Sequence, residues 1–443
     1  MPQFPERQKR ILERSLYAAG KSDVVARWDY RWRPGTREFC SLKAALRCRW
    51  SRLQIPPWRN KLLGMLAEPA VAEWTWYYSG REVFPAMLGA IDAAQESVCL
   101  ETYIYAADSL GERFREALVR ARLRGTRVRV LIDALGSMEL PGAFWEPLVA
   151  AGGEVRQFNP LALGRFGIRN HRKLLLCDER VAFVGGFNIA SEYDGDGVTS
   201  GWRDLGLKLE GQLPGQLSAT FEEMFARADF RHKRFIRLRK STARQMVLTP
   251  YEQLLLSGPG RGRNPVKRAL RKDLAGATTV QIMVGYFLPP WRLRRDLTSI
   301  VRRGGTVQLI LPGKSDVVIS QLAGQSLYRR FLRAGVQISE YQPQILHAKL
   351  IIAGDIVYVG SANLDPRSLD INYELMIRFE NGDMAAQARA IFAGSLAHCR
   401  QITREDWRKS RTIWRRLKQR WAYWLLVHID PYLARRQWHE LPD

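Results

Sequence analysis

Acidic residues are scarce relative to basic ones, cysteines are few and unpatterned, and no long apolar run is present. The chain of 443 residues has 44 Asp+Glu against 69 Lys+Arg, a formal net charge of +25. Its surface therefore suits a polyanionic partner: nucleic acid, an anionic membrane surface or a phosphorylated substrate. The five cysteines, Cys40, Cys48, Cys99, Cys177 and Cys399, form no CxxC pair. Neither a disulfide framework nor a zinc site of the usual spacing is indicated, and a reducing compartment fits. The longest apolar stretch near either end, WAYWLLVHI at 421–429, is nine residues, where a spanning helix needs about twenty. The opening MPQFPERQKRILERSLYAAG is charged throughout and lacks the apolar core of a signal peptide. The expectation is a protein that neither crosses a bilayer by its own helix nor is exported. Hydrophobic residues nonetheless make up 46% of the chain, enough at this length for two or three domains with buried cores.

What is present is a duplication. A helical stretch at EVFPAMLGAIDAAQES leads to the strand-like SVCLETYIY and then to RARLRGTRVRVLIDALGS, where glycine closes a helix and VRVLI reads as a buried strand. The same order returns in ALRKDLAGA, TVQIMVGYF and VRRGGTVQLILPG, and FWEPLVAAGGEVRQFNP matches LYRRFLRAGVQISEYQP. Strands alternating with helices imply an α/β fold with largely parallel or mixed sheets. The expected organisation is two similar α/β domains, 65–245 and 266–400, forming a bilobal body with pseudo-two-fold symmetry. A linker at 246–265 contains the loop-like SGPGRGRNP, and basic, aromatic segments flank the body at 1–64 and 401–443.

The polar residues match best between the halves. NHRKLLLCDERVAFVGGFN at 170–188 and LHAKLIIAGDIVYVGSAN at 346–363 each open on an HxK pair and close on asparagine. In a strand, residues i and i+2 project from one face, so His171 points with Lys173, and His347 with Lys349. Asn188 lies 17 residues after His171 and Asn363 lies 16 after His347. The turns Gly185-Gly186 and Gly360-Ser361 are small, as expected where backbone N–H groups approach a ligand. Asp204 and Glu374, 33 and 27 residues past the histidines of their own halves, open alternating strands and supply an acid to orient each ring.

These residue types in two copies suit displacement at a phosphodiester. One neutral imidazole attacks phosphorus to form a phosphohistidine, and the other, protonated, gives its proton to the departing alkoxide. Lys173, Lys349, Asn188 and Asn363 would hold the non-bridging oxygens. The lysines supply positive charge where Mg²⁺ would otherwise sit, so neither a metal nor another cofactor is called for. His232, His398, His428 and His439 have no repeated context and receive no role.

HRKLLLCD followed by GGFN, and HAKLIIAGD followed by GSANLDPRSLDINYE, resemble the HKD motifs of the phospholipase D superfamily. Within it they look most like bacterial cardiolipin synthases of the type B kind. The resemblance implies one active site between the domains, with His171 as nucleophile and His347 as acid and later base. It also implies an anionic phospholipid substrate, phosphatidylglycerol, and a peripheral place on the cytoplasmic side of a bacterial membrane. A phosphatidyl group would pass from one phosphatidylglycerol to the hydroxyl of another with release of glycerol, or to water in a hydrolase. The family pattern adds Asp178, five residues after Lys173, to the catalytic set, although a turn-stabilising role suits it better; the second copy has Gly354 there and Asp355 one place later.

Of fourteen tryptophans, six fall in the first 80 residues and five after residue 400. In DWRKSRTIWRRLKQRWAYWLLVHI, Trp407, Trp414, Leu417, Trp421, Trp424 and Leu425 form one helical stripe, with Arg408, Arg411, Arg415 and Lys418 on the other. Such a helix suits the plane of an anionic membrane, with Trp407, Arg411, Trp414, Arg415, Trp421 and Trp424 in contact with it. Two rival readings stay open. A superfamily nuclease also explains the charge, but it wants aromatic residues between the motifs, so nucleic acid is the less favoured partner. A non-enzymatic lipid-binding protein is motivated by the displaced Asp355 and opposed by the two intact HxK pairs.

Overall fold

The computed structural model describes residues 73–160, 167–228, 243–259, 264–410 and 412–430. The N-terminal segment 1–64, with Cys40 and Cys48, lies outside them, as do Arg411, His232 and His439. The described residues build two mixed sheets. The first comprises β1 (Glu73–Tyr77), β2 (Ser97–Thr102), β3 (Arg127–Asp133), β4 (Glu154–Phe158), β5 (Leu174–Cys177), β6 (Val181–Gly185) and β7 (Gly206–Glu210). Its order is β1-β7-β6-β5-β2-β3-β4. The second comprises β8 (Arg244–Val247), β9 (Glu252–Ser257), β10 (Thr279–Val284), β11 (Thr306–Pro312), β12 (Gln337–Tyr341), β13 (Lys349–Ala353), β14 (Ile356–Gly360), β15 (Glu374–Glu380) and β16 (Cys399–Ile402). Its order, β16-β12-β11-β10-β13-β14-β15-β9-β8, contains the order of the first sheet in reverse, with β9 in the place of β1.

In both sheets three strands run parallel and the HxK strand pairs antiparallel to the first of them, β5 to β2 and β13 to β10. LLLC and LIIA are buried at every position because both faces of these central strands are covered. Leu174 and Leu176 turn into a core that they share with Leu350 and Ile352 of the other lobe. Leu175 and Cys177 turn instead toward the helices Gly80–Ala93 and Ser109–Leu123, which cover the first lobe. Ile351 and Ala353 do the same beneath the helices Pro265–Gly276 and Trp291–Arg302 of the second. The shared core is what fixes the two HxK strands against each other.

Residues 246–265 are not a linker throughout. Residues 252–257 form β9, which hydrogen-bonds along β15, and β8 begins the second sheet at Arg244, inside the span expected for the first domain. EQLLLS is mostly buried, and that apolar content outweighs the Gly/Pro/Arg composition further along. The one-residue difference between the HxK hairpins is absorbed at the end away from the histidines. Cys177 pairs with Val181, leaving three turn residues, whereas Ala353 pairs with Ile356, leaving two. Asp178 and Gly354 occupy equivalent left-handed positions, φ 55° and 59°. Their N–H groups donate to Ser97 O and Thr279 O respectively.

The C-terminal stripe needs correction at two residues. The helix is interrupted: Arg404–Lys409 ends, and Ile413–Trp424 starts afresh with Thr412 accepting from the Arg415 N–H at 3.2 Å. The break turns Trp407 inward against Tyr328, with ring centroids 4.8 Å apart, and leaves it 5% exposed. Trp407 is therefore core, and Arg415 stacks on it and reaches Gln325 at 3.2 Å instead of pointing outward. Trp414, Trp421 and Trp424 remain 74%, 58% and 51% exposed.

The lobes differ in how they hold the HxK strand. In the first, Arg172 lies 3.1 Å from Glu101 and Arg169 lies 3.5 Å from Asp133, all four buried. Sheet register places Met283 and Ala348 where the first lobe has Glu101 and Arg172. A buried ion pair and an apolar pair of similar volume are near-equivalent in stability, but half an ion pair is costly. Arg172→Leu alone is expected to destabilise the protein by about 3–5 kcal/mol, and adding Glu101→Met to recover most of it. Equilibrium denaturation of the two variants checks this, and an unrecovered loss in the double variant contradicts it.

Candidate active site

The carboxyl ends of β2, β3, β4 and β6 and the starts of β5 and β7 bring the polar motif residues to one edge of the sheet, and the second lobe does the same. The two edges are joined by backbone: the His171 N–H donates to Tyr373 O at 3.0 Å and the His347 N–H to Arg203 O at 2.7 Å. Each histidine is thus bonded to the residue immediately before the acid of the other lobe.

The acids are exchanged accordingly. His171 Nδ1 is 3.1 Å from Glu374 Oε2, and His347 Nδ1 is 2.6 Å from Asp204 Oδ2. The expectation that each acid orients the histidine of its own half is wrong. The loop after each asparagine carries the acid past the seam, and spacing along the chain does not show that crossing.

Both lysines donate to the backbone carbonyl of their own histidine, Lys173 at 2.7 Å, and Lys349 likewise to His347 O. Lys349 Nζ also lies 2.8 Å from His347 Nδ1, the atom that faces Asp204, and one ring nitrogen cannot serve both. Burial alone would raise the Asp204 carboxyl, but the charges of His347 and Lys349 hold it below its usual range. Asp204 is therefore ionised, Nδ1 carries the proton and donates to it, and the lysine approach is only a contact. That tautomer leaves Nε2 of His347 toward the site.

The turns are small for a different reason from the one expected. The Gly186 N–H and the Ser361 N–H are both spent on backbone carbonyls, Leu205 O at 3.0 Å and Leu375 O at 2.9 Å. A Cβ on Gly186 would stand 2.0 Å from Asp204 Oδ1, so the glycine makes room for the carboxylate. At the matching position Ser361 instead donates its hydroxyl to Glu374 Oε2, the oxygen that faces His171. Gly185 and Gly360 end β6 and β14 directly against the backbone of Leu205 and Leu375.

Asn188 is partly engaged: its Oδ1 accepts from the Ile104 N–H at 3.1 Å and its Nδ2 donates to Tyr193 Oη at 2.7 Å. Asn363 is 2% exposed and its Oδ1 has no hydrogen-bond partner, an arrangement that ordinarily calls for a ligand or water. Asp178 does not reach the site. Its carboxylate accepts from the N–H groups of Gln95, Glu96 and Ser97 at 2.8–2.9 Å at the opposite end of β5, so its place in the catalytic set is corrected. Asp355 is exposed and 3.6 Å from Arg389. Among the described residues no cluster of three or more His, Cys, Asp or Glu is arranged to hold a metal ion.

An aromatic collar that the motif spacing did not indicate surrounds the imidazoles. The ring of Tyr103 is 5.0 Å from that of His171, and those of Tyr193, Trp202 and Tyr286 are 5.3, 5.7 and 6.4 Å from that of His347. The only cue was TYIY beside GYF after the first strand of each half, which packing explains equally well.

Burial governs the protonation states. It pushes His171 down to about 4 against the pull of Glu374, and it lowers His347 with help from Lys349 and against Asp204. It brings Lys173 to about 7 and Lys349 to about 8, again against the nearby carboxylates. Lysine is charged when protonated, so these depressed values move the loss of both cations down into the neutral range. The free protein should therefore lose kcat/KM for an anionic diester as pH rises through about 7, more steeply above about 8. kcat should hold to higher pH, because the bound anion restores both charges. Profiles of both parameters check this; a kcat/KM that is flat across both values contradicts it.

The sequence family described as the cardiolipin synthase, phospholipase D-like domain matches residues 87–225 and 270–396. The chain is 31% identical over 372 residues to cardiolipin synthase B of Escherichia coli K12, covering 79% of this chain and 87% of that protein. It is 30% identical over 341 residues to cardiolipin synthase 1 of Bacillus anthracis, covering 73% of this chain and 66% of that protein. Among solved structures, phosphatidylserine synthase from Haemophilus influenzae shares the fold at TM-score 0.64 and 13% identity, over 85% of this chain and 99% of that one. With both HxK edges matched and most of each chain aligned, the protein belongs to the cardiolipin synthase family of phospholipase D-like proteins.

Proposed function

We propose that this protein is a phosphatidyltransferase that makes cardiolipin from two molecules of phosphatidylglycerol. His171 Nε2 attacks phosphorus, the P–N bond forms as the P–O bond to glycerol breaks, and the glycerol oxygen takes the proton from His347. The headgroup hydroxyl of a second phosphatidylglycerol then gives its proton to His347 and attacks the phosphohistidine, releasing His171. Lys173, Lys349 and Asn363 stabilise the charge on the non-bridging oxygens.

The observation that carries the assignment of roles is the inequality of the crossed pairs. His347 faces an ionised Asp204 at 2.6 Å, a partner that stabilises an imidazolium. His171 is held at 3.1 Å by a carboxylate oxygen shared with Ser361 and is neutral down to about pH 4. Burial lowers both imidazoles, so the roles rest on the shorter, unshared carboxylate contact, which suits His347 to take up and give back a proton.

Phosphatidylglycerol vesicles should yield cardiolipin and glycerol in equal amounts by mass spectrometry. With phosphatidyl-p-nitrophenol, whose leaving group needs no proton, His347→Ala should still form the covalent adduct while losing at least about 10³-fold on phosphatidylglycerol. His171→Ala should do neither. Cardiolipin formation by His171→Ala sinks the mechanism, and phosphatidic acid as sole product makes the protein a hydrolase.

The same proposal places the enzyme on an anionic membrane through the helix Ile413–Trp424. Ile413, Trp414, Leu417, Trp421 and Trp424 lie within one face of it, exposed by 50–74%, and exposed Arg416, Lys418 and Arg420 flank that face. The opposite face, Gln419 and Ala422, is buried. Such cations contribute about 1 kcal/mol each near an anionic surface. Free thiols at Cys99, Cys177 and Cys399 favour the cytoplasmic side. No helix of the described residues is long and apolar enough to cross a membrane. Sedimentation with phosphatidylglycerol vesicles should fall at least about tenfold in Trp414→Ala/Trp421→Ala/Trp424→Ala and weaken with salt; wild-type-like binding by the triple variant contradicts this docking face.

A further inference from the structure

Away from the imidazoles, a second basic site is built into the outer helices of the second lobe. An open cavity of about 550 Å³ lies between the helix Trp291–Arg302 and the segment that carries the helices Val318–Gln325 and Tyr328–Arg333. Arg302, Arg329, Arg330 and Arg333 line it, with Thr298 and Ser326 at its wall. The two hydroxyls are spent on carbonyls of their own turns, Thr298 on Arg294 O and Ser326 on Ala323 O. The guanidinium groups are therefore the donors available to a ligand. Among the described residues none of the four has a carboxylate within 4 Å, whereas nearby Arg271, Arg378 and Arg400 are paired with Asp296, Asp273 and Glu340. Four like charges around one cavity with no acid among them do not help the fold. Four arginines lining one space offer planar, multiply donating groups of the kind that suits the oxygens of a phosphate ester.

The location selects the source of that phosphate. The helices that wall the cavity also carry the exposed tryptophan helix: Arg415 reaches Gln325, and Arg294 donates to Tyr423 Oη at 3.1 Å, while Tyr328 packs on Trp407 of the preceding helix Arg404–Lys409. The catalytic mouth lies at the other end of Val318–Gln325, where Tyr286, next to His347, bonds Asp316. That eight-residue helix is roughly 12 Å long, so the cavity is separate from the catalytic centre, and the same helix contacts Ile413–Trp424.

We propose that the four-arginine cavity is a non-catalytic binding site for the phosphodiester headgroup of an anionic phospholipid, which it holds while the neighbouring helix is docked. The inference rests on the membrane docking proposed above. It does not rest on the chemistry at His171, and the test separates the two.

Full-length His171→Ala protein, which does not turn over, is titrated calorimetrically with monomeric dihexanoyl-phosphatidylglycerol, with dihexanoyl-phosphatidylcholine and with inorganic phosphate. The expected result is two phosphatidylglycerols bound per chain, one at each site. Adding Arg329→Gln/Arg330→Gln/Arg333→Gln should remove one of them or weaken it at least tenfold. Arg113→Gln/Arg180→Gln/Lys272→Gln, which removes the same charge from exposed positions outside the cavity, should retain both. Equal loss in the two charge-matched variants, or no loss in either, overturns the site. Loss of inorganic phosphate binding in the cavity variant with phosphatidylglycerol binding unchanged overturns the lipid assignment, as does equal binding of phosphatidylcholine. If only one lipid binds and the cavity variant abolishes it, the cavity stands and the reading of the catalytic centre fails.

Discussion

Two carboxylates reach across a seam, and the rest of the structure is arranged around keeping them there. Glu374 of the second lobe holds His171 of the first, and Asp204 of the first holds His347 of the second. Neither lobe contains a complete unit of imidazole and orienting acid. Two lysines, two histidines and two carboxylates are removed from water in the process, at a cost that only close mutual pairing offsets. Hence the seam is tight: backbone bonds tie His171 to Tyr373 and His347 to Arg203, and a continuous apolar core runs behind them from Leu174 and Leu176 to Leu350 and Ile352.

Within that symmetric frame the two halves have diverged where it matters for chemistry. Gly186 leaves space for Asp204 to approach His347 closely, while Ser361 takes part of the charge of Glu374 away from His171. The turn residue thus differs together with the acid, and each imidazole faces a carboxylate in different surroundings. Behind the site the first lobe fixes its HxK strand with the buried pairs Arg172–Glu101 and Arg169–Asp133, where the second uses apolar residues. The duplicated scaffold brings the two histidines to one seam, and its small asymmetries give them unequal surroundings.

Much of this was legible in the chain because periodicity and repetition are local signals. The strand alternation of HRKLLLC and HAKLIIA, the glycine-closed helices and the paired polar residues all report on neighbours in sequence. The α/β fold followed from them. Composition misled at 246–257, where an apolar β9 precedes a loop-like run, and at Trp407, where a break between two helices rotates one residue of an otherwise regular stripe into the core. The crossing of Asp204 and Glu374, the collar of Tyr103, Tyr193, Trp202 and Tyr286, and the gathering of Arg302 with Arg329, Arg330 and Arg333 are long-range facts. Residues far apart in the chain meet there through tertiary packing, and no spacing rule carries that information.

The crossed pairing can be observed directly by nitrogen-15 NMR of histidine-labelled protein, following the Nδ1 resonances of His171 and His347 in Glu374→Gln and Asp204→Asn. The account predicts that Glu374→Gln shifts His171 while leaving His347 close to its position, and that Asp204→Asn does the reverse. Each substitution perturbing the histidine of its own half instead would contradict the exchange of acids between the lobes and the division of roles built on it.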